Sequence, residues 1–320
     1  MEIFLMYFLF VVGLVLIIKG GDWFVDAAAW FAEVSGIPHF IVGATVVGFA
    51  TSLPEVLVSV IAAAQGDVDM ATGNAIGSVT ANTGLIMGIS LLFMPLAVKL
   101  REYLPKILIL MASIIAVWAF GISGEISIIA SVALMALFAV FVYENITSAK
   151  RQLAAGESDS KSAEPVTKQV VGKKIFLFVI GCAGIIIGSE LLVNNGTAIA
   201  SSLGVPTRII SLSAVAIGTS LPEMVTTISA ISKKQSSLSV GNIIGSNIID
   251  ITFILPPCML AYGKSLPVSF GTLWIDLPVL FGLTLVAFVP TFFTKKFSRW
   301  QGGLLVACYI GYLAYMFVFH

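Results

Sequence analysis

Charge is scarce in this sequence. Asp, Glu, Lys and Arg make up 11% of its 320 residues, against about 25% in a soluble domain. Seventeen basic residues balance seventeen acidic ones, so no excess of positive charge points to nucleic acid. Histidine is nearly missing: His39 and His320 lie far apart, and no HExxH motif or triad-like set can be assembled around them. The chain is therefore not expected to be an enzyme. Cysteine is equally rare. Cys182, Cys258 and Cys308 all fall in apolar runs without a CxxC, which excludes a disulfide framework and reads as three small buried hydrophobes.

Apolar residues fill the space that charge leaves. They form 58% of the chain, in runs that repeatedly reach the roughly 20 residues needed to cross a bilayer. Ten spans are expected, at about 3–31, 37–64, 70–97, 104–120, 124–143, 174–200, 205–232, 237–263, 271–289 and 301–319. The first is read as a span and not as a cleaved leader, because Glu2 stands where a leader carries positive charge. One long polar segment, 144–173, interrupts the series and reads as a flexible linker.

The linker divides two halves, 1–143 and 174–320, that repeat. Gly13, Gly20, Gly36, Pro38, Thr51, Ser52, Leu53, Pro54, Glu55, Gly73, Asn74, Gly77 and Ser78 each have an identical residue 168 positions later. At the same offset Asp22 pairs with Glu190 and Asn82 with Asp250. Five spans is an odd number, so the second half must be inverted relative to the first. The expected fold is an all-α membrane protein of ten transmembrane helices in two inverted five-helix repeats, an arrangement typical of secondary transporters with a midplane site.

Loop charge gives the orientation. Fourteen basic residues, including Lys99, Arg101, Lys106, Lys150, Lys233, Lys295 and Arg299, fall on the side reached after odd-numbered spans. Arg208 and Lys264 fall on the other, and Lys19 is within a span. By the positive-inside rule the 144–173 linker is cytoplasmic and both termini are outside, in a multi-pass protein of the cell membrane.

The chemistry concentrates in two duplicated stretches, 48–82 and 216–250. Gly48-Phe49-Ala50-Thr51-Ser52-Leu53-Pro54-Glu55 and Ala216-Ile217-Gly218-Thr219-Ser220-Leu221-Pro222-Glu223 each place a proline and a glutamate mid-span. Proline cannot donate to the carbonyl four residues back, which frees the oxygens of Ala50 and Gly218. The second element is Gly73-Asn74-Ala75-Ile76-Gly77-Ser78 followed by Asn82, with Gly241-Asn242-Ile243-Ile244-Gly245-Ser246 and Asp250 as its twin. Its glycines permit close helix approach. The site drawn from both stretches contains three carboxylates, the side-chain amide of Asn82, six hydroxyls and free carbonyls. Such a set suits hard cations such as Ca²⁺ and Na⁺. Ser52 and Ser220 also stand where they would cap the helix that follows. Asp22, three residues from Lys19, reads either as a local ion pair or, with Glu190, as lining of an ion pathway.

At these residues, G-T-S-L-P-E and G-N-x-I-G-S followed by Asn or Asp, the sequence resembles the cation/calcium antiporter superfamily and its sodium/calcium exchanger branch, over nearly the whole chain. The first copy differs in carrying Ala50 where the second has Gly218. The resemblance implies ten helices and a central site. Glu55 and Glu223 would be the principal Ca²⁺ ligands, with carbonyls of Thr51 and Thr219. Ser52, Ser78, Ser220, Ser246, Asp250 and the carbonyls of Gly48 and Ala216 would serve sodium positions, and Asn82 would lie in the same diamond. The cation/proton branch often carries a glutamate where this chain has Gly77 and Gly245, so Na⁺ is favoured over H⁺ as the coupling ion. Asp250 also resembles potassium-dependent exchangers. The expected activity is Ca²⁺/Na⁺ antiport in the bilayer, with no cofactor and no obligatory protein partner. The alternatives are H⁺/Ca²⁺ or K⁺-linked exchange and a cation channel, although no TVGYG-type filter is present.

Overall fold

The structure is a computed structural model and describes residues 2–154, 166–203, 218 and 220–319. The chain forms α1 (Glu2–Ser35), α2 (His39–Thr51), α3 (Leu53–Ala64), α4 (Val68–Phe93), α5 (Leu100–Gly121), α6 (Ile128–Ala154), α7 (Lys168–Ser202), α8 (Leu221–Ser232), α9 (Ser236–Tyr262), α10 (Thr272–Thr294) and α11 (Arg299–Phe319). Among the described residues seven helices are long and apolar enough to cross a membrane, and the bent pair α2 and α3 makes eight. The protein is an all-helical, multi-pass membrane protein. Of the remaining spans expected from sequence, 205–232 falls partly outside the described residues. The segment 301–319 is helical in α11, which is 21 residues long and is not among those eight.

Sequence explains where the helices break. Pro54 stands in the first turn of α3, and the chain turns by 41° between α2 and α3 at Ser52. Pro222 holds the matching place in α8. In α9 the paired Pro256 and Pro257 follow a wider π turn, Asp250–Ile254. Neither proline can donate back along the helix, so the backbone slips to longer bonds there. The matching turn of α4, Asn82–Ile86, is also π although no proline follows it. Such turns are rare and gather at functional positions.

Burial sorts the helices into a core and a flank. In their most apolar windows α9 is 83% buried and α4 is 72% buried, whereas α1 and α7 are each 22% buried. The flanking helices pack on each other through glycine. A methyl group on Gly13 would meet the carbonyl oxygen of Gly188 at 2.9 Å, and one on Gly20 would meet that of Gly181 at 2.8 Å. Only glycine lets two backbones approach so closely in lipid. Gly241 and Gly245 of α9 likewise rest against the backbone of Phe40 and Ala44 in α2. The twins of Phe40 and Ala44, Arg208 and Leu212, lie outside the described residues.

The described residues also form four two-residue strands: β1 (Leu96–Ala97), β2 (Glu125–Ile126), β3 (Leu266–Pro267) and β4 (Lys296–Phe297). β1 pairs antiparallel with β4, and β2 with β3. Each ladder joins a loop of the first half to a loop of the second.

Several sequence expectations change. The polar segment 144–173 is helical at both ends, because α6 runs on to Ala154 and α7 starts at Lys168. Lys106 is no loop charge: it lies inside α5, fully buried, ion-paired with Glu144 of α6 and 5.5 Å from the Phe40 ring centre. The cysteines differ from one another, since Cys258 is buried, Cys182 half-buried and Cys308 exposed.

Candidate cation-binding site

The α2–α3 break, the start of α8 and the middles of α4 and α9 meet at the centre of the molecule. Glu55, Glu223, Asp250, Asn82, Thr51, Ser52, Ser78, Ser220 and Ser246 are all buried, each at most 3% exposed. Gly48 is buried beside them. The three carboxyl groups lie close enough for Glu55 to feel both Glu223 and Asp250, and Ser52 lies beside Asp250. Thr219 and Ala216, also expected here, lie outside the described residues.

One cluster is linked directly across the two halves. The Thr51 hydroxyl lies 3.3 Å from the Ser246 hydroxyl and donates to Asn242 Oδ1 and to the Gly48 carbonyl, each at 3.3 Å. Ser246 reaches Gly48 O and Glu223 Oε1 at 3.4 Å each. A carbonyl, two hydroxyls and a carboxylate thus face one point, drawn from residues almost two hundred apart in sequence.

The remaining oxygens have no such links. Both carboxylate oxygens of Glu55 and of Asp250, Oε2 of Glu223, the hydroxyls of Ser52 and Ser220 and the side-chain amide of Asn82 are buried without a hydrogen-bond partner among the described residues. Burying one such group unpaired costs on the order of 1–3 kcal/mol, and more if it is charged. Six unpaired acceptor groups on neighbouring helix breaks therefore form a cage that a hard cation would satisfy. No three His, Cys, Asp or Glu side chains among the described residues converge tightly enough to make a metal centre alone. The cage is a mixed one of carboxylates, hydroxyls, amide and backbone, as suits an ion that has to leave again.

The capping expectation is not realised, since neither the Ser52 nor the Ser220 side chain bonds the helix that follows it. The carbonyl of Ala50, expected to be freed by Pro54, accepts the Cys182 thiol at 3.9 Å.

Two further residues of the repeat, Asn74 and Asn242, join the site. Asn74 Nδ2 donates to Glu55 O at 3.3 Å and to Ser59 Oγ at 2.9 Å. Asn242 Nδ2 donates to Thr226 Oγ1 at 3.0 Å, and that hydroxyl contacts the Glu223 carbonyl at 2.9 Å. Hydrogen bonds between membrane helices contribute only about 0.6 kcal/mol each, so these contacts matter more for aiming the glutamates than for stability. Their identity at the 168-residue offset was the available signal.

Asp22 does not pair with Lys19. Lys233 of the α8 end reaches across to it, 3.7 Å from Asp22 Oδ1 and 2.7 Å from Asp26 Oδ1, and donates to Asp22 O at 2.8 Å. Glu190, its twin, lines a cavity.

Comparison with known proteins bears on this site. The sequence model of the family described as sodium/calcium exchanger protein matches residues 5–147 and 173–318. An uncharacterized membrane protein of Methanocaldococcus jannaschii is 33% identical, with 94% of each chain covered. The sodium/calcium exchanger MaX1 of Methanosarcina acetivorans is 29% identical, covering 97% of this chain and 98% of its own. A solved structure of the sodium-calcium exchanger NCX_Mj superposes with a TM-score of 0.84 at 31% identity, covering 98% of this chain and 99% of that one.

Proposed function

The chain belongs to the sodium/calcium exchanger protein family, and on that premise we propose that it is a secondary antiporter exchanging Ca²⁺ for Na⁺ across a cell membrane by alternating access. The observation that carries this reading is the set of buried, unpartnered carboxylate oxygens of Glu55, Glu223 and Asp250 between broken helices. An ionisable side chain at membrane depth marks function by default, and three of them facing one another call for a cation.

The roles follow the chemistry of each group. Glu55 and Glu223 supply the charge that holds Ca²⁺, helped by carbonyls of Thr51 and Thr219. Ser52, Ser78, Ser220, Ser246, Asp250 and the carbonyls of Gly48 and Ala216 serve Na⁺, and Asn82 completes the diamond. The linked set of Thr51, Ser246, Gly48 O and Glu223 is one such Na⁺ position.

The architecture is ten helices in two inverted repeats. Gly13 meets Gly188 and Gly20 meets Gly181, while the sequence repeat equates Gly13 with Gly181 and Gly20 with Gly188. Twins that pack crosswise are what an antiparallel two-fold relation produces. The two crossed strand ladders support the same relation. Both termini are outside and the 144–173 segment is cytoplasmic.

Charge gives the stoichiometry. Three ionised carboxylates carry −3, which three Na⁺ neutralise and one Ca²⁺ leaves one charge short. Exchange at three to one moves one net charge, worth about 2.3 kcal/mol per 100 mV, so an inside-negative potential assists Ca²⁺ extrusion. The test is ⁴⁵Ca²⁺ uptake into proteoliposomes driven in turn by Na⁺, H⁺ and K⁺ gradients at valinomycin-set potentials. Na⁺-driven, voltage-dependent flux with a Na⁺ Hill coefficient well above one is expected. Flux driven by H⁺ alone would overturn the coupling, and voltage-independent flux with a Hill coefficient near one would overturn the three-to-one ratio.

A further inference from the structure

Beside the carboxylate cage lies a cavity of about 410 Å³ between α3, α4 and α7. Its inner wall includes Pro54 and Pro222, the prolines that break the two glutamate-bearing helices. Most of the lining is aliphatic, but Glu190, Ser189, Asn194 and Asn74 also face it. Ser189 is 5% exposed and Asn74 is 4% exposed, and among the described residues both Ser189 Oγ and Asn74 Oδ1 lack a hydrogen-bond partner. Buried polar atoms are paired as a rule, and each exception calls for a ligand or water to satisfy it. Here two unpaired oxygens share one cavity with a carboxylate and a further amide.

We infer that this cavity is a receiving site for Ca²⁺, distinct from the central cage: Glu190 and the oxygens of Ser189, Asn194 and Asn74 hold a partly hydrated ion before it passes the two prolines. The inference rests on the antiport reading above. Ca²⁺ accepts carboxylate, amide and water oxygens together in flexible geometry, so one carboxylate and three neutral oxygens suit it without full dehydration. A single acidic group gives weak binding, on the order of 10⁻³ M, as a site that must release forward requires. Low-dielectric walls around one sign of charge concentrate counter-ions and speed their arrival. Asn74 gives the cavity its link to the cage, because the same side chain donates to the Glu55 carbonyl. In the orientation proposed above, α7 runs outward from Lys168, and Glu190 lies about 33 Å along it, in its outer half. The site therefore serves ions arriving from outside.

Two measurements test this. Calorimetric titration of CaCl₂ into the full-length Glu55→Gln, Glu223→Gln double variant reads binding without the central cage and without any exchange. A weak site is expected to remain, and adding Glu190→Gln is expected to remove it. No residual binding, or binding that survives Glu190→Gln, overturns the inference, and neither result depends on whether Na⁺ drives transport. In right-side-out and everted vesicles, Glu190→Gln alone should raise the Ca²⁺ KM about tenfold on the outer face only. Glu190→Asp should restore most of it, and high ionic strength should shrink the difference. An equal change on both faces, or none on either, defeats the assignment.

Discussion

Asp22 and Glu190 occupy matching positions on α1 and α7, yet their surroundings have diverged. Asp22 is bridged to the α8 end by Lys233, which also holds Asp26, and Ser229 donates to Asp22 Oδ1 at 3.3 Å. Glu190 borders an open cavity. The repeat shows why. Lys233 corresponds to Gln65, Asp26 to Asn194 and Ser229 to Ile61, so the second copy of the bridge cannot form. The central cage is duplicated, and the approaches to it are not. On the inverted relation proposed above, identical residues would preserve a shared task at the midplane, while differences between twins would separate the two faces of the membrane.

The strongest way to probe that comparison is at the residues that have not diverged. Glu55→Gln and Glu223→Gln should each reduce Ca²⁺ transport by more than the roughly 100-fold that loss of an outer-shell partner costs a metal site, and each purified protein should remain folded. If one variant kept wild-type flux in ⁴⁵Ca²⁺ uptake, the two halves would not share the ion. One step outward, Asn242→Ala should cost about 10- to 100-fold in Ca²⁺ affinity, because Asn242 aims Glu223 through Thr226 and also accepts from Thr51. The corresponding Asn74→Ala should do likewise, and titration calorimetry compares the two directly.

Asp250 and Asn82 sharpen the comparison within the cage, since they are twins that differ in side-chain charge. Asp250→Asn should alter the Na⁺ Hill coefficient and half-saturation more than Ca²⁺ affinity. A larger change on the Ca²⁺ side would reassign Asp250 to the divalent ion. Lys233→Gln tests the bridge. Its members are 21–56% exposed, and such pairs contribute about 1 kcal/mol at most, or roughly fivefold in a conformer ratio. The expected result is a modest rise in labelling of a cysteine placed at position 229 by a cytoplasmic thiol reagent. The smallest effect is expected in the linker. Shortening the chain within 155–165 should leave Na⁺-driven exchange near wild type, provided the ends of α6 and α7 are still joined.

Much of this was legible in sequence because duplication repeats a signal. The constant offset marked Pro54 and Pro222, and proline physics located the breaks they make in α2–α3 and at α8. Asn74 and Asn242 carried the same mark, but their contacts lie between helices and needed coordinates. Unduplicated features went unread. Lys233 reaches a residue 211 positions away with no twin to advertise the contact. Lys106 reads as a loop charge because the positive-inside rule weighs sign and not burial, and its partner Glu144 sits in a stretch whose composition reads as linker. The π turn at Asn82 has no proline behind it, so nothing local announced it.

The contact at Gly245 also bears on how this chain could change over evolutionary time. Its backbone lies directly against Ala44, leaving no room for even a methyl group. A new acidic side chain at 245 would have to pry α9 away from α2 and disturb the cage that the two helices share. If descendants of this sequence were to recruit an additional carboxylate and switch coupling ion, position 245 is closed to them by its own packing.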